Sequence, residues 1–320
     1  MHELFIRHSD NPILTRDSLP YPANSVFNPG ATRVGDETLL LLRVEDRRGM
    51  SHLTVARSKD GVSDWQVDAA PTLVPEPKRY PEELWGIEDP RITYIPAQQR
   101  WAIAYTAYSP GGALVALATT ADFRSFERLG AVLPPEDKDA AIFPIQFSGR
   151  WAMLHRPVSA MAALAGAHIW ISWSPDLKHW SDHHILIRAR RGGWWDAAKI
   201  GLSTPPLRTP DGWLILYHGV RVTASGALYR LGLALLDLHD PMKVIARSDE
   251  WVFQPERDYE RFGDVDNVVF PCGWIEDGEN LRVYYGAADS RVALATAKTS
   301  ELLDWVGQYR GKGEGAVVEA

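Results

Sequence analysis

A repeat of about 60 residues constrains this chain more than any other feature. Five times, an apolar strand-like run is followed by a turn, a second strand, and a Ser/Thr/Asp-rich turn that is often closed by an aromatic residue. The first runs are Leu39–Val44, Ala102–Thr106, Ala152–Arg156, Leu214–His218 and Leu281–Tyr285. The second strands begin at 52, 113, 168, 229 and 291, with spacings of 61, 55, 61 and 62. The closing turns carry Asp60 with Trp65, Asp122 with Phe126, Asp176 with Trp180, Asp237, and Asp304 with Trp305. A period of this size with strands in every unit is a blade period. Helical solenoid repeats would show a 3.6-residue pattern, which is absent here. The expected fold is all-β: residues 1–320 form a single five-bladed β-propeller domain. The competing reading is a β-sandwich with accidental internal likeness. In a propeller the first runs are read as the innermost strands, and a ligand site belongs at the central channel where the blades converge.

Composition agrees and removes several classes. Thirteen Trp beside 25 Gly and 22 Pro suit strands and turns, and suit a protein that stacks sugar rings. A hydrophobic share of 45% with 23% charged residues is that of a folded soluble chain rather than a disordered one. A net charge of −7 argues against a nucleic-acid surface. No apolar run approaches the roughly 18 residues of a membrane span, and Met1–Ile6 shows no signal-peptide pattern. The single cysteine, Cys272, excludes an internal disulfide and a multi-cysteine zinc site. These features fit a cytoplasmic protein.

Several segments carry chemistry. Trp85-Gly86-Ile87-Glu88-Asp89-Pro90-Arg91-Ile92 sets two carboxylates beside an arginine. Strand alternation sends neighbouring side chains to opposite faces, so Glu88 and Asp89 are not expected to serve one ligand together. A salt-bridged turn is the plainer alternative. Arg43–Gly49 ends the first apolar run and also reads as a charged hairpin. Asn24–Ala31 is rich in amide and hydroxyl groups, as a sugar site or an ordinary loop would be. Lys138, Arg156, Lys199 and His218, with Tyr229, form a basic set. Arg156 and His218 hold equivalent places in blades three and four, and Asp289 is their counterpart in blade five. Basic groups converging on a channel would bind an anion; separate surface salt bridges are the alternative. No nucleophile elbow, P-loop or His-Glu-x-x-His motif is present, and His183-His184 reads as a loop pair. Neither a catalytic metal nor an organic cofactor is expected.

These motifs together resemble glycoside hydrolase family 130, the five-bladed β-mannoside phosphorylases and related β-mannosidases. The likeness runs from about Asn24 to Ala297. It rests on Asn-Pro-Gly-Ala at 28–31, Arg-Val-Glu-Asp-Arg-Arg-Gly at 43–49, Gly-Ile-Glu-Asp-Pro-Arg-Ile at 86–92, Lys-Asp-Ala-Ala-Ile-Phe-Pro at 138–144, His-Arg-Pro at 155–157, Lys-Ile-Gly at 199–201, Tyr-His-Gly-Val at 217–220, Asn-Val-Val-Phe-Pro at 267–271 and Tyr-Tyr-Gly-Ala-Ala-Asp at 284–289.

The resemblance implies that Asp89 is the general acid. It implies that Asn24, Ser25, Arg43 and Asp289 hold the mannosyl ring, and that Arg156, Lys199, His218, Tyr229 and Lys138 hold inorganic phosphate. The implied reaction is inverting, reversible phosphorolysis of a β-1,4- or β-1,2-mannoside to α-mannose 1-phosphate, with the proton relayed through a sugar hydroxyl. An inverting hydrolase needs a second carboxylate, about 6.5–9.5 Å away, to activate water. Phosphate arrives as an anion and needs no such base. The acid should then have a raised pKa. The alternatives are a β-mannosidase acting on β-1,2-mannosides with water, and a non-catalytic sugar-binding propeller. Partners are a mannose-containing oligosaccharide and phosphate, with homo-oligomers left open. Tyr108, Trp194-Trp195 and Tyr259–Phe262 are the aromatic candidates for the acceptor subsite, and Trp85 is a further candidate sugar contact. Trp65, Trp180 and Trp305 are expected to be structural turn residues.

Overall fold

The computed structural model describes residues 4–158, 166–224 and 226–311. Five antiparallel sheets stand around a central axis as the blades of a propeller. Blade one runs through Ser25–Val34, Glu37–Glu45, Ser51–Ser58 and Gln66–Val67. Blade two is Ile87–Ile95, Arg100–Ser109, Gly112–Thr120 and Glu127–Ala131. Blade three is Asp137–Phe147, Arg150–Pro157, Ile169–Ser174 and Ser181–Ile187. In blade four, Lys199–Leu202 and Leu207–Thr209 both pair with Gly212–Thr223, followed by Gly226–Leu236 and Val244–Arg247. Blade five is Val269–Asp277, Asn280–Ala287 and Arg291–Lys298, and its outer strand is Ile6–Arg7 from the other end of the chain.

That last pairing closes the ring. The Arg7 guanidinium donates to Glu260 Oε1 at 2.7 Å and to the Gln254 carbonyl at 2.6 Å, and lies over the Phe253 ring. Because the N-terminal strand fills the fourth place in blade five, the chain after Lys298 has no strand left to make. It folds instead into the helix Thr299–Gly307. Trp305 is on this helix, packed against the core between blades four and five, and is not the turn residue expected. Trp65 and Trp180 do occupy matching turns, where each indole N–H donates to a carbonyl three residues back, Val62 and Leu177. The repeated Asp pins these turns: Asp60, Asp122, Asp176 and Asp237 each accept two backbone N–H bonds.

The all-leucine run Leu39–Leu42 shows why blade strands lack a clean alternation. Each blade is covered on both faces. Leu39 and Leu41 pack against Ile87, Ile103 and Tyr105 of blade two, whereas Leu40 and Leu42 pack against Tyr284 and Leu294 of blade five. All four are fully buried, each contributing on the order of 1.5–3 kcal/mol of apolar burial.

One assignment needs correction. The apolar runs at 39–44, 102–106, 152–156, 214–218 and 281–285 are the second strands of the blades, not the innermost. The innermost strands begin at Ser25, Ile87, Asp137, Lys199 and Val269 and stand at the free edge of each sheet. Proline and polar residues interrupt them, so their apolar signal is the weaker one.

Candidate active site

Three innermost strands slip register at the same depth: between Phe27 and Gly30, between Glu88 and Arg91, and between Lys138 and Ala141. At each slip one polar residue adopts left-handed backbone: Asn28 with φ 43°, Asp89 with φ 51° and Asp139 with φ 56°. Asn and Asp tolerate this region better than other side chains with a Cβ, and a bulge re-aims the residues around it. All three side chains are buried at the axis.

The bulge at Asp89 overturns the argument from alternation. Glu88 and Asp89 both reach Arg43, Glu88 Oε1 at 3.0 Å from Nη2 and Asp89 Oδ1 at 2.9 Å from Nη1. Asp89 Oδ1 also accepts from Asn28 Nδ2 at 2.9 Å. The Arg43 Nε donates to Ser51, and its guanidinium lies 4.5 Å from the centre of the Phe27 ring, its cross-strand partner. Burial pushes the Asp89 carboxyl up, but Arg43, Lys138, Arg91 and the Asn28 bond outweigh it and hold it below the usual range. Without ligands, the acid expected to be raised is therefore lowered. Asp289 behaves in the opposite way. Burial raises it to about 7, with Asp89 and Glu88 adding to the rise against Arg43 and Lys138.

On the neighbouring blade, Asp139 gathers two arginines and a histidine. Arg156 donates to its Oδ2 from Nε at 2.9 Å and Nη2 at 2.6 Å; Arg91 Nη2 is 3.3 Å from Oδ1, and His218 Nε2 is 3.3 Å from Oδ2. Arg91 also donates to the carbonyls of Asp89, Leu202 and Ser203, tying blades two, three and four together. Gly201 is required beside this group, since a Cβ there would collide with Asp139 and His218. Lys199 stands 5.5 Å from the Tyr229 ring centre. Burial lowers its pKa, and the neighbouring Arg156 and Lys138 lower it further. Burial takes His218 down to about 4, so its ring is neutral at physiological pH. Arg91, Arg156, Lys138 and Lys199 outnumber Asp139 here, a charge balance that would suit a small anion.

The structure thus gathers Asp89, Arg43 and Asp289 with Lys138, Arg156, Lys199, His218 and Tyr229 in one electrostatically coupled cluster. Asn24 is at the rim, bonded to Asp264 at 2.9 Å. The buried Ser25 hydroxyl has no hydrogen-bond partner among the described residues. Trp85 and Tyr108 form an exposed pair with ring centres 5.3 Å apart, and the Trp85 backbone N–H donates to the Tyr108 carbonyl. Of the tryptophan pair, only Trp194 is exposed; Trp195 is buried, stacked on Tyr217 and bonded to the Asp249 carbonyl. Trp195 therefore belongs to the core. Tyr259 accepts a bond from Asn11, while Phe262 is exposed. His183-His184 is on a strand rather than in a loop.

Asn28, Asp139 and Arg91 were missed as individual site residues. Their signal was available: Asn-Pro, Asp-Pro and Lys-Asp-Ala stand at equivalent places, within three residues of the start of an innermost strand.

Comparison with known proteins agrees with this geometry. A family model described as beta-1,4-mannooligosaccharide phosphorylase matches residues 8–308. The chain is 39% identical to a beta-1,2-mannobiose phosphorylase of Listeria innocua over 79% of this chain and 68% of that one. It is 34% identical to a 1,2-beta-oligomannan phosphorylase of Thermoanaerobacter sp., over 92% of this chain and 98% of the relative. A solved Listeria innocua beta-1,2-mannobiose phosphorylase in complex with beta-1,2-mannobiose superposes with a TM-score of 0.86 at 32% identity, covering 95% of this chain and 99% of that structure.

Proposed function

Because the chain belongs to glycoside hydrolase family 130, we propose that it catalyses the reversible phosphorolysis of a β-mannoside, giving α-mannose 1-phosphate and a shortened sugar. The observation that carries this reading is the cation wall beside Asp89, formed by the buried Arg156 with the partly buried Lys138 and Lys199. Water would gain nothing from such a wall, whereas a phosphate dianion would be desolvated and oriented by it. The β-1,2 linkage is the first to test, because the relatives at 39% and 34% identity are named for it, with β-1,4, named in the family description, as the second.

In this reading Asn24, Ser25, Arg43 and Asp289 hold the mannosyl ring, with the orphan Ser25 hydroxyl free to bond a sugar oxygen. Arg156, Lys199, His218, Tyr229 and Lys138 hold phosphate. Phosphate attacks the anomeric carbon from the face opposite the leaving oxygen, so the configuration inverts. Asp89 supplies the proton for the leaving oxygen.

The lowered pKa of Asp89 then has a use. In the free site Lys138 and the arginines keep it ionised. Phosphate answers those cations with its own negative charge, which removes part of their pull and adds repulsion. Asp89 therefore gains its proton when phosphate binds, and the acid carries its proton only when the nucleophile is present. The proton balance closes without an external base. Hydrogen phosphate carries one proton in, the departing hydroxyl carries one out, and mannose 1-phosphate leaves as the dianion. A cytoplasmic setting fits a product whose charge keeps it from crossing a membrane.

The test is turnover of β-1,2-mannobiose with and without phosphate, and the reverse reaction of α-mannose 1-phosphate with a panel of mannose and glucose acceptors. Phosphate release in the reverse direction is the expected result. Equal cleavage without phosphate would mark a hydrolase. Saturable sugar binding with no product in either direction would mark a binding protein.

A further inference from the structure

Blade three holds a polar assembly that the proposed reaction does not use. Asp137 Oδ2 is 2.6 Å from His155 Nδ1, His155 Nε2 is 2.6 Å from Ser172 Oγ, and Ser172 Oγ is 2.6 Å from His183 Nδ1. The four residues are on the first, second, third and fourth strands of the blade in turn. The chain of bonds therefore crosses the whole blade, from the axis to the outer edge. Asp137, His155 and Ser172 are buried, and His183 is exposed.

The Asp137 carboxylate can only accept, so His155 donates to it from Nδ1. The Ser172 hydroxyl bridges His155 Nε2 and His183 Nδ1, donating to one ring nitrogen and accepting from the other. Asp, His and Ser in this order resemble a nucleophilic triad. Ser172 is fully buried with its oxygen engaged on both sides, so no acyl group can reach it. The assembly serves another purpose.

Its place in the register points to that purpose. At the axial end of blade three only two pairs precede the slip, Asp137 with Pro157 and Lys138 with Arg156; pairing resumes at Ala141 with Leu154. Lys138 and Arg156, two of the proposed phosphate ligands, are thus carried by a ladder two rungs long. Alternation sends Asp137 to the face opposite Lys138, and His155 to the face opposite Arg156. The 2.6 Å bond between Asp137 and His155 is a side-chain rung behind the phosphate pair. Ser172 and His183 anchor that rung to the regular outer half of the blade.

We propose that the Asp137–His155–Ser172–His183 chain is a positioning element that fixes the separation of Lys138 and Arg156 and thereby sets the affinity for phosphate. The proposal rests on the phosphorolytic reading of the site. None of the four residues is assigned a contact with phosphate or sugar.

The experiment uses the full chain and inorganic phosphate. Rates are measured against phosphate at saturating β-1,2-mannobiose, and against the mannoside at saturating phosphate. Asp137→Asn and His155→Ala are expected to raise the phosphate KM about ten-fold, with kcat at saturating phosphate and the mannoside KM each within about two-fold of wild type. Ser172→Ala should give a smaller rise of about three-fold. His155→Asn keeps a donor toward Asp137 and should restore most of the affinity lost in His155→Ala. A purely structural role would lower Tm and active fraction without moving the phosphate KM, and that pattern overturns the proposal. If Asp137→Asn does not fold, Ser172→Ala and the exposed His183→Ala carry the same comparison, with an unchanged phosphate KM counting against it. Wild-type turnover that ignores phosphate would sink the phosphorylase reading, and this inference with it; that outcome is visible before any variant is made.

Discussion

Asp89 and Asp139 hold the same position in neighbouring blades. Each is buried, each begins a bulge on an innermost strand, and each adopts left-handed backbone. Their surroundings differ. Asp139 has both oxygens committed, to Arg156 and His218 on one side and Arg91 on the other, and it lies well below the usual carboxylate range against the cost of burial. Both side-chain bonds that the described residues give Asp89, from Arg43 and Asn28, land on Oδ1, which leaves Oδ2 to carry a proton. One backbone device thus yields a counter-ion in blade three and, in the proposed reading, the general acid in blade two. Partner count separates the two roles, since geometry alone does not.

Exchanging each carboxylate for its amide should break the comparison in opposite directions. Asp89→Asn should lower kcat by about 10²–10⁴-fold, the range for loss of a general acid, while the protein stays folded and phosphate binds at least as tightly as in wild type. Retention of near wild-type turnover would refute the assignment. Asp139→Asn leaves Arg91 and Arg156 in the core without their charge partner. It should destabilise the fold by about 3–5 kcal/mol, read from denaturant unfolding. If Asp139→Asn unfolds like wild type, Asp139 is not the counter-ion that the bond pattern makes it.

The same contrast marks how far the sequence could be read. The repeat was legible because the second and third strands of each blade are packed on both faces and read as apolar runs, Leu39–Leu42 being the clearest. The innermost strands were not, because the bulges that build the site put proline and polar residues where a strand pattern should continue. Asp89 and the basic set could be named from motifs. Their electrostatics could not, because the lowered pKa of Asp89 depends on Arg43 reaching across from blade one and Lys138 from blade three. Likewise, Trp305 looked like Trp65 and Trp180 in sequence. Only the closing strand from the N-terminus explains why the last unit ends in a helix.

A subtler effect should separate the two carboxylates in solution. In the proposed reading phosphate neutralises the cations that hold Asp89 ionised, whereas Asp139 keeps its own arginines. Binding should therefore take up part of a proton, and Asp89 should be its destination. Calorimetric titration of phosphate in two buffers of different ionisation enthalpy would show it as a difference in observed heat. Asp89→Asn should abolish that difference. Equal heats for wild type in both buffers would mean that Asp89 gains no proton with its nucleophile.

The smallest effect concerns Asp289, the third carboxylate of the cluster. Its pKa is raised from 3.8 to about 7 in the folded protein, chiefly by burial. Between those values the native state holds a proton that the unfolded chain has released. Stability rises with pH only where the unfolded state binds more protons, so this group makes stability fall as pH climbs from about 4 to about 7. Asp289→Asn removes the titration while keeping the shape. The wild type should therefore lose more denaturant stability than Asp289→Asn on going from about pH 5 to about pH 8. Parallel losses in the two proteins would place the Asp289 proton elsewhere and leave Asp89 as the only carboxyl of the sugar side whose charge changes during turnover.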